Sequence, residues 1–223
     1  MTTYLVNDIY MAVQGEGVQT GVAMVLLRLH GCQVGCPWCD TKETWDVDTH
    51  YKCDTLAEIL GTNPKYTETT PSDILAYIQA NLKGPKWVLV TGGEPAVQSL
   101  GLLVKTLQQG GYKVALETSG TELGHIDAGF DWICVSPKMN MPGGKAILPE
   151  AIAVADEVKH VVGKQGDIDL LDTLLKSITL KESAQICLQP VSRSQRATIL
   201  CVETVQQRGW RLSVQTHKYL NLP

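Results

Sequence analysis

Gly31-Cys32-Gln33-Val34-Gly35-Cys36-Pro37-Trp38-Cys39-Asp40-Thr41 gathers three of the chain's seven cysteines within eight residues, spaced C-x3-C-x2-C, with Gly and Pro between them to let the backbone wrap. Clustered thiols of this kind are a metal-binding pattern. A closed tetrahedral zinc site needs four ligands, usually as two paired knuckles, and no second C-x2-C or H-x3-H follows. His30, His50 or Cys53 would have to complete a structural zinc loop. Thiolates equally suit an iron–sulfur cluster, where a 4Fe-4S cube on three cysteines keeps one iron open for an exogenous ligand.

The chain enters this loop from Met24-Val25-Leu26-Leu27-Arg28-Leu29-His30, whose near-continuous apolar character reads as a buried strand. Arg28 is its odd member, because a guanidinium in such a run needs a partner: a structural counter-ion or a substrate carboxylate. Upstream, residues 4–13 alternate loosely and end at Gln14-Gly15-Glu16-Gly17, a turn-forming stretch that tolerates positive φ. Downstream, residues 42–70 are polar and aperiodic, and are expected to form an insertion or lid over the site.

Strand and helix patterns then alternate. Thr70-Pro71-Ser72-Asp73 supplies an N-cap, a proline at the first helical position and an acidic third residue. Strands are expected at 87–90, 112–116, 132–135, 157–162, 186–188 and 211–214, and helices near 98–109, 149–156, 168–178 and 194–208. Such units build a parallel sheet, and about six or seven of them curl into an incomplete (βα) barrel, an α/β fold in one domain over 1–223. Arg28 with the cysteine loop, Thr91 to Glu94, Glu117 to Ser119, Ser136 to Lys138 and Gln189 all fall at C-terminal strand ends, where α/β sheets bind ligands.

The composition, 44% hydrophobic and 19% charged, is that of a globular protein, and the net charge of −4 without a basic run gives no footprint for nucleic acid or an anionic membrane. No apolar run approaches membrane-spanning length and the N-terminus lacks signal-peptide character, so a cytosolic location is expected. An odd cysteine count with clustered thiols suits a reducing compartment, and Cys134, Cys187 and Cys201 are expected to pack as small hydrophobes.

The C-x3-C-x2-C spacing with Trp38 before the third cysteine resembles the signature of radical S-adenosylmethionine (SAM) enzymes. Together with Gln14-Gly15-Glu16-Gly17, Cys39-Asp40-Thr41, Thr91-Gly92-Gly93-Glu94-Pro95, Glu117-Thr118-Ser119-Gly120, Val135-Ser136-Pro137-Lys138 and the tail Gln215 to Pro223, it resembles the 7-carboxy-7-deazaguanine synthase family; only about residues 42–70 lack a match. The resemblance implies a radical SAM lyase of queuosine and deazapurine biosynthesis, a homodimer using a 4Fe-4S cluster, SAM and magnesium. It would contract the ring of 6-carboxy-5,6,7,8-tetrahydropterin with loss of ammonia, regenerate SAM, and need no side chain as general base. An electron-donor protein such as a flavodoxin is implied as partner.

By the same resemblance Cys32, Cys36 and Cys39 would hold the cluster and Thr41 would ligate magnesium. Magnesium prefers charged oxygens, so that assignment needs the substrate carboxylate and waters to complete the octahedron. Trp38, Cys39, Asp40, Gly93, Glu94, Ser119, Ser136, Pro137, Lys138 and Gln189 would line the SAM site. Val13, Gln14, Gly15 and Glu16 would meet the pterin ring, Arg28 the substrate carboxylate, and Thr91, His217 and the terminal carboxylate of Pro223 would also face substrate. The rivals are a radical SAM activase acting on a partner protein and a zinc-stabilised binding module.

Overall fold

The computed structural model describes residues 2–61 and 64–221. Among them runs one ten-stranded sheet in the order β10-β9-β8-β7-β6-β5-β2-β1-β4-β3. It opens with a hairpin, β1 (Tyr4–Val13) antiparallel to β2 (Ala23–Leu29), with Val13 opposite Ala23. From β2 outward the pairing is parallel: β5 (Trp87–Gly92), β6 (Lys113–Thr118), β7 (Trp132–Val135), β8 (Glu157–Val162), β9 (Gln185–Pro190) and β10 (Arg211–Leu212). The ends of this order are not paired with one another, so the barrel stays open, as expected of an incomplete one.

The helices sit where the alternation placed them. α2 (Pro71–Asn81) starts on Thr70, whose side chain accepts from the Asp73 N–H, and buries Ile74 and Ile78. α3 (Gly101–Gln109), α4 (Pro149–Ala153), α5 (Gln165–Lys176) and α6 (Gln195–Arg208) follow their strands. Helix residues such as Leu103, Leu107, Ile168 and Leu171 pack on Val25, Leu27, Val88, Val90, Val114 and Val158, one continuous core on one face of the sheet. Each such side chain contributes about 1.5–3 kcal/mol of burial. Cys201 belongs to that core, and Cys134 and Cys187 are buried too.

The other face is thinly covered. Met24, Leu89 and Ala115 form a small buried cluster with Val22, Trp87 and Trp132 at the N-terminal ends of the strands. Strand residues alternate between faces, so Arg28, Thr91, Glu117 and Lys159 follow on the same side, one or two steps toward the C-terminal ends.

Residues 42–70 differ from an aperiodic lid. They carry two 3-10 turns (Lys42–Thr44 and Thr49–Tyr51), β3 (Lys52–Cys53), a single-turn α1 (Leu56–Ile59) and β4 (Tyr66–Thr69). β4 pairs antiparallel with β1, Val6 opposite Thr67, and β3 pairs with β4, so these two short strands extend the sheet beyond the hairpin. The strand Tyr66-Thr67-Glu68-Thr69 is short and polar, and its partner lies some sixty residues upstream, which left no local signal for it. The final helix α7 (Thr216–Leu220) was likewise unexpected.

His160 links the fold to pH. Its ring is 6% exposed and bonds through Nε2 to the Asp167 carbonyl at 2.9 Å, and burial pushes its pKa down to about 4. The folded protein therefore binds this proton less readily than the unfolded chain. Its stability is full above the unfolded pKa of about 6.5 and falls as pH drops toward 4, by about 3 kcal/mol in all. Denaturant unfolding between about pH 7.5 and about pH 5 is expected to show this loss, and His160→Gln to reduce it; an unchanged slope in the variant would assign the loss to other groups.

Candidate active site

The cysteine loop is gripped by backbone on both sides. β5 ends in Gly92, whose φ is 141°, and a Cβ there would lie 2.1 Å from the Leu29 carbonyl oxygen. At Gly93 a Cβ would lie 2.5 Å from the Gly31 oxygen, and the Gly93 and Glu94 N–H groups donate to Leu29 O and Gly31 O at 3.0 and 2.9 Å. Both glycines also line the cavity, so the same backbone packs on the end of β2 and borders the space for a ligand. On the far side Gly143 N–H donates to Val34 O at 3.1 Å, and a Cβ on Gly143 would fall 1.9 Å from Gln33 O. Behind the loop, His30 stacks on Tyr66 with ring centroids 4.4 Å apart and bonds the Asp46 carbonyl.

Cys32, Cys36 and Cys39 line one cavity of about 550 Å³. Burial pushes the Cys32 thiol up to about 11 and raises Cys36 as well, while the Lys138 ammonium pulls Cys36 back down. Among the described residues no three His, Cys, Asp or Glu side chains converge as one metal ion would require. His30, His50 and Cys53 do not line the cavity, and His30 stacks on Tyr66 with its Nε2 on the Asp46 carbonyl. A tetrahedral zinc thus lacks its donors. A cube of irons fits better, since it takes each thiolate on a different iron and leaves room in the cavity for a ligand on the fourth.

The expected site residues Val13, Gln14, Gly15, Glu16, Arg28, Thr91, His217, Trp38, Cys39, Asp40, Thr41, Gly93, Ser119, Ser136, Lys138 and Gln189 all line this cavity. Pro137 and Glu94 do not. Glu94 is 1% exposed and lies behind the wall, where it accepts from the Thr118 hydroxyl at 2.6 Å, Ser119 N–H at 2.7 Å and Ala96 N–H at 3.0 Å. Three donors hold that carboxylate in place, and it in turn orients Thr118 and Ser119. Pro223 lies outside the described residues. Of residues 42–70, Trp45 lines the cavity.

Arg28 is half-buried in the cavity wall and, among the described residues, makes no ion pair. Asp8, opposite it on β1, is raised by burial and pulled down by Arg28, so the two interact at a distance. Lys138 is half-buried, its pKa lowered by desolvation, and its ammonium donates to the Ser136 carbonyl and hydroxyl. Gln189 accepts from the Ser213 hydroxyl at 2.8 Å, which also receives the Gly17 N–H.

Sequence reasoning missed Lys159. Its side chain is 3% exposed, and its ammonium lies 2.6 Å from Glu16 Oε2 and 2.7 Å from Glu117 Oε1. The available signal was a lysine inside the apolar run of β8, the same anomaly that drew attention to Arg28. Gln215 was also missed: its amide donates to Glu16 Oε1 at 2.7 Å, and Lys218 bonds Gln215 and lies 3.6 Å from Asp40. The tail is thereby tied both to the β1–β2 loop and to the cysteine loop.

The sequence pattern of the radical SAM superfamily matches residues 26–140. The chain is 41% identical to the 7-carboxy-7-deazaguanine synthase of Escherichia coli K12, covering 98% of this chain and 99% of that protein. It is 37% identical to the protein of that name from Buchnera aphidicola, with 98% and 99% covered. Its fold superposes on the crystal structure of QueE from Escherichia coli with a TM-score of 0.88, at 39% identity, covering 95% and 93% of the two chains.

The docking of the tail is testable without a ligand. Thr216 N–H donates to Gly15 O at 2.8 Å, and a Cβ on Gly15 would lie 2.2 Å from His217 Nδ1 and 3.0 Å from its Cβ. Gly15→Ala is therefore expected to lift α7 from the wall and speed tryptic cleavage after Lys218 about tenfold, the equivalent of ~1.4 kcal/mol of lost docking. An unchanged cleavage rate would show that His217 can move without releasing the helix.

Proposed function

Because the chain belongs to the 7-carboxy-7-deazaguanine synthase family of the radical SAM superfamily, we propose that it converts 6-carboxy-5,6,7,8-tetrahydropterin to 7-carboxy-7-deazaguanine and ammonia, as a carbon–nitrogen lyase that regenerates SAM, on the route to queuosine. The observation that carries this reading is Arg28: a guanidinium without an ion-pair partner among the described residues, set in the same cavity wall as three thiols. A cluster with SAM, once bound on those thiols, supplies a 5′-deoxyadenosyl radical able to take a hydrogen from C6 of the substrate.

The chain's own residues orient the two molecules. Arg28 offers a bidentate fork to the substrate carboxylate, with Thr91 beside it on β5. Val13, Gln14, Gly15, Glu16 and His217, all in the cavity lining, are assigned to the pterin ring, and Pro223 keeps its expected role at the substrate. Trp38, Cys39, Asp40, Gly93, Ser119, Ser136, Lys138 and Gln189, in the same lining, are assigned to SAM. Pro137, between Ser136 and Lys138 in sequence, keeps its expected place in the SAM set, and Glu94 acts through Thr118 and Ser119. Magnesium at Thr41 is part of the proposal. The Thr41 hydroxyl, in the cavity wall, is a single neutral oxygen, so the substrate carboxylate and waters would supply the charged and remaining donors of the octahedron.

A flavodoxin-type donor and a homodimer come from the resemblance. A cytoplasmic location agrees with the need to keep three thiols reduced, and no helix among the described residues is long and apolar enough to cross a membrane.

The test is an anaerobic assay of the iron-reconstituted, reduced protein with SAM, magnesium and 6-carboxytetrahydropterin, read by mass spectrometry. 7-Carboxy-7-deazaguanine is expected, and none from Cys36→Ala. Release of 5′-deoxyadenosine without that product would keep the radical chemistry and discard the substrate. Arg28→Ala is expected to weaken substrate binding about 10- to 150-fold, the 1.5–3 kcal/mol or so of a charge-assisted pair, while SAM binds as before; unaltered substrate affinity would remove Arg28 from the carboxylate site.

A further inference from the structure

Three elements far apart in sequence bring Glu16, Glu117 and Lys159 together on the cavity wall. Glu16 comes from the β1–β2 loop, Glu117 from β6 and Lys159 from β8. The lysine is the most deeply buried of the three, with side-chain exposures of 3%, 18% and 24% for Lys159, Glu16 and Glu117. Burial works against its charge, and Glu117 and Glu16 outweigh that, holding the ammonium well above the ordinary lysine range. For Glu16 burial also opposes ionisation, and Lys159 and Gln215 bring its carboxyl down to about 2.

Beside the triad lies a second, much smaller space. The space between Gln14, Glu16, Glu117 and Glu157 amounts to about 10 Å³, the room of a single water. Glu16, Glu117 and Lys159 also line the main cavity, the one large enough for an organic ligand. Glu117 Oε1 takes Lys159 and, at 3.4 Å, the Gln14 amide; among the described residues Glu117 Oε2 receives no hydrogen bond.

A buried ion triad is a poor stabilising device, since apolar residues of the same volume usually serve as well or better. It does fix the protonation of its carboxylates. Two carboxyl groups sharing a low-dielectric site without a cation between them do not both ionise. The other titratable groups facing the triad are Lys138 after β7, Cys134 on β7, Glu157 on β8, Cys187 on β9 and His217 on α7. Cys134, Cys187 and Glu157 are pushed up by burial and supply no positive charge. Lys138 is turned toward Ser136.

We propose that Lys159 is a positioning residue: it holds Glu16 and Glu117 as a pair of ionised acceptors, so that the wall selects a heterocycle presenting adjacent N–H donors, such as a 2-amino-4-oxopyrimidine edge. This rests on the pterin reading above. An ionised carboxylate accepts from a ring N–H and an exocyclic amine side by side, whereas a protonated one offers a donor where the ring also has a donor. Lys159 need not touch the substrate to set that preference.

The experiment uses reconstituted, SAM-loaded enzyme left unreduced, so that 6-carboxytetrahydropterin binds without turnover, and measures its Kd calorimetrically from about pH 5.5 to about pH 8. Wild type is expected to bind with a flat profile, and to bind the ring analogue lacking the 2-amino group at least about tenfold more weakly. Lys159→Met is expected to bind the pterin about 30-fold more weakly near pH 6.5 and to recover as pH rises, because one carboxyl has taken up a proton. Lys159→Arg should keep the flat profile, and adding Glu117→Gln to Lys159→Met should remove the pH dependence.

A folded Lys159→Met enzyme with unchanged Kd and a flat profile would overturn the proposal, whatever its melting temperature. Should that variant not fold, the wild type decides: a Kd that rises steeply as pH falls toward 6, or indifference to the 2-amino group, would overturn it equally. Wild type that binds SAM but no pterin at any pH would instead sink the proposed substrate, and this inference with it.

Discussion

Everything at the functional end of this protein depends on how closely two backbones meet where β2 and β5 run out. The Leu29 and Gly31 carbonyls accept from Gly93 and Glu94, and the space between the strands has no room for a Cβ at either glycine. That contact sets the direction in which the chain leaves β2, and so where Cys32, Cys36 and Cys39 can stand. A side chain at Gly92 would push against a carbonyl that belongs to the sheet itself, and it would do so at a φ that other residues rarely adopt. Thr-Gly-Gly-Glu-Pro is thus a structural clasp for the cysteine loop before it is a ligand contact.

The same economy governs the polar residues around it. Glu94 spends three acceptor positions on Ala96, Thr118 and Ser119, linking the ends of β5 and β6 behind the cavity wall. Lys159 links β8 to β6 and to the hairpin loop in front of it. One carboxylate faces inward to hold strands in register, and two face the cavity with an ammonium between them. Identical side chains take different roles because one environment satisfies all but one of the acceptor positions and the other leaves some open.

The hairpin and tail close the circle that the sheet leaves open. The β1–β2 loop receives α7 through Gly15, with His217 lying against the glycine and Gln215 on Glu16. Lys218 carries the link on to Asp40 in the cysteine loop. Residues 42–70, by contrast, add two short strands to the sheet past β1 and contribute Trp45 to the cavity wall.

The sequence by itself determined the strand–helix alternation, the thiol loop and the polar residues at strand ends, because each is written in local periodicity, spacing or turn chemistry. Arg28 was legible for the same reason, as a charge interrupting an apolar strand. Lys159 carried that signal too, yet its meaning lay in two carboxylates 143 and 42 residues away. The short polar β4 and the helix α7 carried no periodic signal, since each owes its place to partners across the fold: β1 for the strand, and Gly15 with Glu16 for the tail. Tertiary structure alone decided which glycines pack tightly on backbone, and which of Glu16, Glu94 and Glu117 reach the cavity. Those are questions of distance between segments that no local pattern encodes, and hydrogen-bond satisfaction in a crowded interior settles them.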